Sequence, residues 1–328
     1  MYSSLQHIIA AGRDISTDDL NQPDSQGAAM ELQVRLCDLG LLDPTIDGDR
    51  TRPFGPVDKG DGKLGVNTRA ALFEFCQLAG LPYVDRQLSL TLLQMVNAAQ
   101  PEQFLPIHWE PRPEDSLQTR IAKCVLRYMR SKNYWIARSP RMRNIVYVEG
   151  MDARGTLNAD RPNEWNDRRM VIRIADNGQP EMLANDQGTT EPGKFYSWHP
   201  TNPNGVARIA FGQYKAWVKG LHQGRWPALV QRERIKLHRD LNRDSRRSAT
   251  DPIDIGKTFG VNQHSTSPNK VPDFVNSFSA GCFVGRRYAW HLSFLDIVQQ
   301  DPRYLANQGY LFISTIIDGS DMMRFEAL

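Results

Sequence analysis

A proline-rich segment separates two parts of the chain that have different residue patterns, and it limits the possible folds more than any other feature. Residues 101–115 contain Pro101, Pro106, Pro111 and Pro113. Because proline fixes φ and removes a backbone donor, we predict an extended linker here. Helical spacing of apolar residues precedes this segment, and short β-branched or aromatic runs follow it. The chain of 328 residues is long enough for two domains, so the sequence predicts a multidomain protein.

The two parts also differ in charge. The first 110 residues carry 8 Lys/Arg and 15 Asp/Glu, a net charge of −7, whereas the remainder carries 32 and 22, a net charge of +10. A run of basic residues between Arg232 and Arg247 could attract nucleic acid or an anionic polymer such as cell wall. No zinc-finger, RNP or helix-turn-helix pattern accompanies this run, so we expect no nucleic-acid partner.

The hydropathy and the cysteine content of the chain indicate the compartment in which it is made. No stretch approaches the roughly 20 apolar residues that a membrane-spanning helix needs, so we expect no membrane span. The start of the chain has no basic region and only a short apolar patch, which does not fit a signal peptide. The four cysteines show no CxxC spacing and are Cys37, Cys76, Cys124 and Cys282. We therefore predict a chain made in the cytoplasm with free thiols.

The first part has the spacing of a small helical module. Apolar residues recur at helical intervals in three stretches, which are residues 28–39, 66–79 and 88–95. Gly40 and Gly80 follow the first two stretches and can end their helices. These patterns predict a small all-α three-helix domain over residues 27–100, in which the apolar stripes form the core. A polar N-terminal tail, residues 1–26, is predicted to precede it.

One long motif in this part resembles the peptidoglycan-binding domain of the three-helix type. The matching residues are Glu31-Leu32-Gln33, Leu36, Leu39-Gly40, Asp47-Gly48, Asp61-Gly62, Leu64-Gly65, Thr68-Arg69-Ala70-Ala71-Leu72 and Phe75. The chain departs from the family by an insertion that contains Thr51-Arg52-Pro53-Phe54-Gly55-Pro56, in the loop near the family's binding groove. The resemblance implies binding to peptidoglycan glycan. A helical packing module without a ligand is the alternative.

The second part, residues 116–328, is predicted to be mainly β with a few helices. Asp115-Ser116 can cap a helix that extends to about Arg130, and another helix is predicted over residues 287–299. Short β-branched or aromatic runs bounded by turn residues predict strands at residues 144–148, 171–174, 206–210 and 311–317. We expect a β-sandwich-like domain with the helix at residue 116 leading into it.

His264 and Cys282 form the candidate catalytic pair. His264 is followed by fourteen residues and then by Ser279-Ala280-Gly281-Cys282. A thiol with its usual pKa of about 8.5 needs a nearby imidazole to take its proton. A histidine that ends one strand and a cysteine that begins the next could be brought together, and Gly281 allows a tight backbone whose N–H groups could hold an oxyanion. Taken alone, the pair fits a buried structural cysteine better than a catalytic one, because such cysteines are common.

The same residues resemble the signature of the L,D-transpeptidase family of the YkuD type. His264, Ser279, Gly281 and Cys282 match the signature in order and spacing, and Thr190-Glu191-Pro192-Gly193-Lys194-Phe195-Tyr196 resembles an upstream turn of the family. The resemblance implies that Cys282 is the nucleophile and His264 its base. It also implies that the backbone near Gly281 and Cys282 forms the oxyanion hole, and that no metal or organic cofactor takes part.

Four further residues are candidates for substrate binding, and one position departs from the family signature. Ser265, Arg286, Tyr196 and His238 are the candidates for substrate binding. The second histidine of the signature, two residues before the cysteine, is Ala280 in this chain. The chain is therefore interpreted as a divergent member, in which the choice of acceptor is open.

The resemblance implies a reaction on peptidoglycan stem peptides through a thioester acyl-enzyme. An amine of another stem, a free D-amino acid or water would resolve the thioester, which gives transpeptidase, exchange or L,D-carboxypeptidase activity. One alternative is a non-catalytic wall-binding or structural protein with a decayed enzyme domain. Another is a zinc-type peptidoglycan peptidase, but that chemistry needs paired histidines and an acid, and no HExxH motif occurs.

The expected substrate lies outside the inner membrane, whereas the chain start does not fit an export signal. We therefore predict delivery by a secretion machine, such as a type VI system, or by a phage-lysis route. The enzyme would then act as a toxin in the periplasm or cell wall, and a secretion-machine component or an immunity protein would be its protein partner.

Overall fold

The computed structural model describes residues 2–48 and 53–326, and at Asp47 and Gly48 it describes the backbone alone. Thr51 and Arg52, which belong to the insertion noted in the sequence, lie outside the described residues. Within the described ranges, no helix has both the length and the apolar character that crossing a membrane requires.

Helices make up most of the chain before residue 105. They are α1 (Leu5–Ala10), α2 (Thr17–Leu20), α3 (Gln26–Asp38), α4 (Pro56–Lys59), α5 (Val66–Ala79), α6 (Leu90–Ala98) and α7 (Pro101–Phe104). The long helices α3, α5 and α6 are those that the apolar spacing predicts. Leu32 and Leu36 of α3 are fully buried, and Gly80 ends α5 in the left-handed conformation at φ 65°.

The helical part is not the all-α three-helix module that the sequence predicts. Three short strands lie within it: β1 (Ile15–Ser16), β2 (Asp47–Gly48) and β3 (Gln87–Leu88). Strand β1 pairs with β3, whereas β2 pairs with a strand of the second part. Leu5, Ile8 and Leu20, from the predicted polar tail, are buried in the helical core, and Trp135 of the second part belongs to the same core. Helix periodicity predicted the long helices but could not predict these additions, because they depend on contacts distant in sequence.

The predicted linker packs against the rest of the fold. Leu105 and Ile107 are buried, and the His108 N–H donates a hydrogen bond to the Gly178 carbonyl at 2.8 Å. At the end of the segment, Asp115 Oδ2 lies 2.7 Å from Lys123 Nζ in a buried ion pair. These contacts fix the proline-rich segment in place against the rest of the fold. The domain limits at residues 26, 100 and 115 stay predictions.

The second part is mainly β, as predicted, and its main sheet closes on itself. Its strands are β4 (Asn144–Glu149), β5 (Asp167–Ile174), β6 (Pro180–Thr189), β7 (Val206–Ile209), β8 (Gly212–His222), β9 (Trp226–Gln231), β10 (Ile235–Asp240), β11 (Ile253–Gly256), β12 (Gln263–Ser265), β13 (Phe283–Gly285) and β14 (Phe312–Asp318). The order β14-β4-β5-β6-β13-β12-β9-β8 is completed by pairing of β14 with β8. The result is a closed eight-stranded barrel, which removes the free strand edges that an open sandwich would leave.

The remaining helices cover the barrel, and a small sheet lies beside it. The helices are α8 (Leu117–Ser131), α9 (Lys194–Trp198), α10 (Tyr288–Gln299), α11 (Pro302–Ala306) and α12 (Gly319–Glu326). Ser116 caps α8, as predicted, because its Oγ accepts from the Thr119 N–H at 3.1 Å. The small sheet has the order β11-β10-β7. Phe294 of α10 packs with Trp217 and Phe283 in the barrel core.

Candidate active site

His264 and Cys282 are neighbours because two adjacent strands of the barrel run parallel. His264 is the middle residue of β12, and Cys282 directly precedes β13. The register pairs Gln263 with Phe283 and His264 with Val284, so Cys282 stands beside Asn262, two residues before His264 along the neighbouring strand. Because side chains alternate along a strand, positions 262 and 264 share one face of the sheet, and Cys282 lies next to that face. Phe283 is fully buried in the barrel core, which fixes the backbone on the carboxyl side of Cys282.

Cys282 is a buried thiol with two polar neighbours. Its side chain belongs to a residue that is 9% exposed. The Asn262 N–H donates to Sγ at 3.4 Å, and the thiol donates to the Gly260 carbonyl at 3.4 Å. Burial raises the pKa of Cys282 to about 11, although the Asn262 N–H acts in the opposite direction. The resting form is therefore the thiol, and a base must remove its proton during attack.

His264 is held in the tautomer that a general base requires. Its Nδ1 lies 2.9 Å from the Ser265 carbonyl, and because a carbonyl only accepts, Nδ1 carries the proton. The other nitrogen, Nε2, is buried and has no hydrogen-bond partner among the described residues. Burial, assisted by the neighbouring His222, lowers the pKa of His264 to about 3. The ring is therefore neutral, with a lone pair on Nε2.

His222 is a third member of the site that the sequence analysis did not select. Its ring stacks on that of His264, with centroids 3.9 Å apart and an angle of 8° between the planes. Asn262 Nδ2 donates to His222 Nδ1 at 2.9 Å, so one asparagine contacts both His222 and Cys282. The residue ends β8, and Gln223 (φ 52°) and Gly224 (φ 68°) after it supply the positive φ angles of a tight hairpin turn. Only that turn signal marks this position in the sequence.

Gly281 occupies a position that no other residue fits. Its φ is 113°, and a Cβ there would lie 2.5 Å from the carbonyl oxygen of Ala207 in β7. The Gly281 N–H donates to Ser279 Oγ at 3.1 Å, and the Ser279 hydroxyl donates to the Cys282 carbonyl at 2.8 Å. Within residues 2–48 and 53–326, the Cys282 N–H has no hydrogen bond. Ser279 therefore shapes the loop, and the Cys282 N–H is the donor left for an oxyanion.

Two of the four substrate-binding candidates have structural hydrogen bonds. The Ser265 carbonyl accepts the hydrogen bond from His264 Nδ1, and the Ser265 hydroxyl donates to the Thr266 carbonyl at 3.1 Å. Arg286 donates to the Pro272 carbonyl and to Gln187 Oε1, both at 2.9 Å. Ser265 therefore belongs to the site through its carbonyl. Arg286 holds the loop between β12 and β13.

The other two candidates lie on different elements. Tyr196 is on α9, whose first turn approaches the site because the Gly193 N–H donates to the Ser279 carbonyl at 2.9 Å. His238 is on β10, where its Nδ1 is 3.8 Å from Asp251 Oδ2, and burial lowers its pKa. The structure gives His238 no hydrogen bond or ring contact with His264 or Cys282 in the part of the chain that it describes.

A buried network of charges stands close to the loop of Ser279. Glu149, Asp167, Glu191 and Arg208 are buried, and the half-buried Arg247 pairs with Glu149. Arg247 binds both carboxylate oxygens of Glu149, at 2.5 and 2.7 Å. Burial raises the pKa of Asp167 well above its ordinary range and that of Glu191 to about 7, and in both cases the charge of Glu149 adds to the effect. The network therefore joins β4, β5, β7 and the loop before β11.

Three side chains of the site could hold a metal ion. One ring nitrogen of His222, one of His264 and the sulfur of Cys282 lie within 4.8 Å of one another. Two imidazoles and a thiolate form a donor set that suits Zn²⁺. The sequence alone did not predict this set, because His222 lies far from the motif that contains the other two.

Comparison with known proteins adds no relative to this description: no family model, no curated protein and no solved structure matches the chain.

Proposed function

We propose that the protein is a cysteine acyltransferase that acts on peptidoglycan stem peptides, as the resemblance to the L,D-transpeptidase family implies. One observation carries the proposal. A neutral His264 presents an Nε2 that has no partner in the described part of the chain, in the same cluster as the Cys282 thiol, while its Nδ1 is held by the Ser265 carbonyl. This is the arrangement of nucleophile, base and orienting group that covalent catalysis by cysteine needs.

Acylation begins with transfer of the thiol proton to His264 Nε2. The sulfur lone pair attacks the carbonyl carbon between the diamino acid and the terminal D-Ala, and the oxygen takes up negative charge. Because the thiol and the imidazole are both neutral at rest, this proton transfer accompanies attack instead of preceding it. Without substrate, the distance between a nucleophile and its base is commonly long, and it shortens in the substrate complex.

The tetrahedral intermediate is stabilised by the Cys282 N–H, the donor left open beside Ser279. When the C–N bond breaks, the His264 imidazolium returns its proton to the nitrogen of the leaving D-Ala, and a thioester remains on Cys282. An acceptor amine or water then attacks the thioester and gives up its proton to His264. The C–S bond breaks, and the thiolate recovers that proton.

The test is the product formed on isolated wall material. Purified full-length protein is incubated with muropeptides, and mass spectrometry records loss of D-Ala, exchange or cross-linking. We expect activity in the wild type, none in Cys282→Ala, and unchanged activity in Cys124→Ala, whose thiol lies on α8. Labelling of Cys282 by a carbapenem, read by intact mass, would show the acyl-enzyme directly. A Cys282→Ala variant with full activity, or a wild type without any, would exclude the proposal.

A cleft between the helical part and the barrel supports a second element of the proposal, binding to the glycan of the wall. The cleft has a volume of about 650 Å³, and its lining includes Gln33, Asp61 and Thr68 of the motif that resembles a peptidoglycan-binding domain. Lys215 and Arg234 of the barrel line its other side. Hydroxyl groups of a sugar chain can donate to the Asp61 carboxylate, and the cations Lys215 and Arg234 can donate to hydroxyl or carboxyl groups from the opposite wall.

Sedimentation with purified sacculi tests this element. Val57 lines the cleft and is largely exposed, so Val57→Asp places a charge in the cleft without disturbing a core. Val84 is also exposed and lies outside the cleft lining, which makes Val84→Asp the matched control. We expect weaker sedimentation for Val57→Asp alone. Equal sedimentation of both variants and the wild type would remove the cleft from wall binding.

A further inference from the structure

We infer that His222, His264 and Cys282 form a binding site for a zinc-like divalent cation, and that an ion bound there blocks the thiol. Their three donor atoms lie within 4.8 Å of one another. Metal binding here does not require the proposed acyl transfer to be correct, whereas the inhibition that we infer from it rests on that proposed function, since both use His264 and Cys282.

His264 already has the features of a metal-binding histidine. Histidines that bind metals commonly donate their other ring N–H to a carbonyl or carboxylate, which fixes the ring and its tautomer. The Nδ1–H of His264 donates to the Ser265 carbonyl at 2.9 Å, and Nε2 is buried without a hydrogen-bond partner among the described residues. The residue itself is 6% exposed. A buried lone pair that lacks a donor is the second observation that points to a ligand here.

The thiol and the second imidazole complete a donor set for zinc. The three ligands Cys, His and His leave a fourth position open for water, as in other zinc sites with three protein ligands. Binding releases the thiol proton to solvent and gives a zinc–thiolate bond.

Binding requires a small rearrangement, and His222 is the residue that makes it. The lone pair of an imidazole lies in the ring plane, so two parallel rings cannot both direct a lone pair at one ion. With bonds of about 2.0–2.3 Å, tetrahedral ligands lie roughly 3.3–3.7 Å apart, which means that the donors must approach by about 1 Å. His264 is buried and held by Ser265, whereas His222 is half-buried at a hairpin end. Rotation of His222 gives up its hydrogen bond from Asn262.

Bound zinc would remove both functional atoms from catalysis. The sulfur lone pair would be shared with the ion, and Nε2 of His264 would no longer accept a proton. The thiol would also be protected from alkylation and oxidation, since both reactions need a free sulfur lone pair. The protein would therefore be inactive while zinc is bound, and removal of zinc by a chelator would restore it.

Cobalt spectroscopy tests the site without any wall substrate. Chelator-treated full-length protein is titrated with Co²⁺, and displacement by Zn²⁺ gives the zinc affinity. We expect a thiolate-to-cobalt charge-transfer band in the wild type that is absent in Cys282→Ser, which keeps Cys37, Cys76 and Cys124. Loss of one histidine ligand, in His222→Ala or in His264→Ala, should weaken binding by at least about 10–100-fold, the cost of losing even an outer contact of a metal site.

Alkylation provides an independent measurement on the unaltered chain. With Zn²⁺ present, iodoacetamide labelling of Cys282 should fall while labelling of Cys124, measured in the same digest, stays constant. No charge-transfer band in the wild type, a band that persists in Cys282→Ser, or wild-type affinity in His222→Ala would each overturn the site. Because none of these measurements uses peptidoglycan, failure of the metal site is distinguishable from failure of the proposed enzyme activity.

Discussion

The ring of His222 stacks directly on the ring of His264, with 3.9 Å between centroids and 8° between planes. His222 comes from the end of β8 and His264 from the middle of β12, two strands that each flank β9 in the barrel. The contact therefore depends on the pairing of both strands with β9, which brings together segments that are distant in sequence. The His222 ring restricts the rotation of the His264 ring and excludes water from the face that it covers.

Removal of the His222 ring should leave the His264 ring less well positioned. In His222→Ala we expect acylation of Cys282 to slow by roughly 10–100-fold, because a displaced catalytic group loses its alignment with the reacting atoms. The pKa of His264 should rise from about 3, since burial and the neighbouring His222 both depress it. NMR titration of the histidines measures this pKa, and carbapenem labelling measures acylation.

Two further variants distinguish the positioning of His264 by His222 from a general effect of replacing a histidine. His222→Phe keeps an aromatic ring on His264 and should recover part of the acylation rate. His199→Ala removes a histidine that stacks on Phe195 and should leave both measurements unchanged. If His222→Ala acylates at the wild-type rate and leaves the titration of His264 unaltered, His222 has no positioning role.

The free enzyme should react slowly with simple alkylating agents at neutral pH. Burial raises the pKa of Cys282 to about 11, so the thiolate fraction, and with it the alkylation rate, increases as pH rises toward that value. His264, with a pKa of about 3, adds no step between mildly acidic and neutral pH. Iodoacetamide rates on chelator-treated protein, with Cys282 quantified by peptide mass spectrometry, give the profile. A rate plateau reached below pH 8 would show that the thiolate is stabilised in the resting protein.

The sequence predicted those parts of the fold and the site that depend on local pattern. Helical spacing predicted α3, α5 and α8, and β-branched runs predicted β4 and β14. The separation of His264 from Cys282 predicted a close pair, and the structure places them on adjacent parallel strands. Local patterns were sufficient in these cases because the residues that form each element carry its apolar periodicity themselves.

Closure of the barrel and the identity of His222 could not be predicted in this way. Closure depends on β14 pairing with both β4 and β8, and no local period specifies a partner strand. His222 joins the site through a different pairing, because β8 and β12 both pair with β9. The packing of the proline-rich segment could not be predicted for a related reason: proline predicts local extension, but contacts such as Asp115 with Lys123 decide whether an extended segment is free or packed.

The backbone at Gly281 should tolerate no side chain. A Cβ would lie 2.5 Å from the Ala207 carbonyl oxygen, and φ is 113°, so Gly281→Ala should displace the Cys282 N–H and abolish acylation. Gly224 also has positive φ, 68°, but open space around it, so Gly224→Ala should cost only about 1–2 kcal/mol of stability. Carbapenem labelling and thermal unfolding of both variants check the difference. Equal labelling of the two would mean that the loop absorbs the methyl group.

Arg247 should be essential for stability at neutral pH. Its guanidinium pairs with Glu149 inside the buried network, and Arg247→Ala should cost about 3–5 kcal/mol, because carboxylates are left without their counter-charge. Burial alone would raise the pKa of Glu149, but Arg247 outweighs it and holds that pKa below its ordinary range. The stabilisation is therefore present above the ordinary pKa of a glutamate and is lost as pH falls through the depressed value.

Denaturant unfolding at several pH values measures this contribution. Arg246 is exposed and has no side-chain partner among the described residues, so Arg246→Ala is the matched control and should unfold like the wild type. The difference between the wild type and Arg247→Ala should shrink as pH is lowered, since protonation neutralises the unpaired carboxylates. A difference that is small at neutral pH, or that grows on acidification, would contradict the role assigned to Arg247.

Deletion of the helical part should destabilise the barrel instead of releasing an intact enzyme domain. The helical core includes Trp135, whose Nε1–H donates to the Cys37 carbonyl at 3.1 Å. Asp43 lies 2.8 Å from Arg303 and 3.2 Å from Lys215 in a buried cluster, so its removal takes a carboxylate partner from each of these two cations, although Arg303 keeps Asp301. A fragment that begins at Glu114 should therefore show a broad, low-temperature unfolding transition by circular dichroism. Adding residues 1–113 as a separate chain should sharpen that transition, whereas a fragment that unfolds with the Tm of the full chain would establish an independent domain.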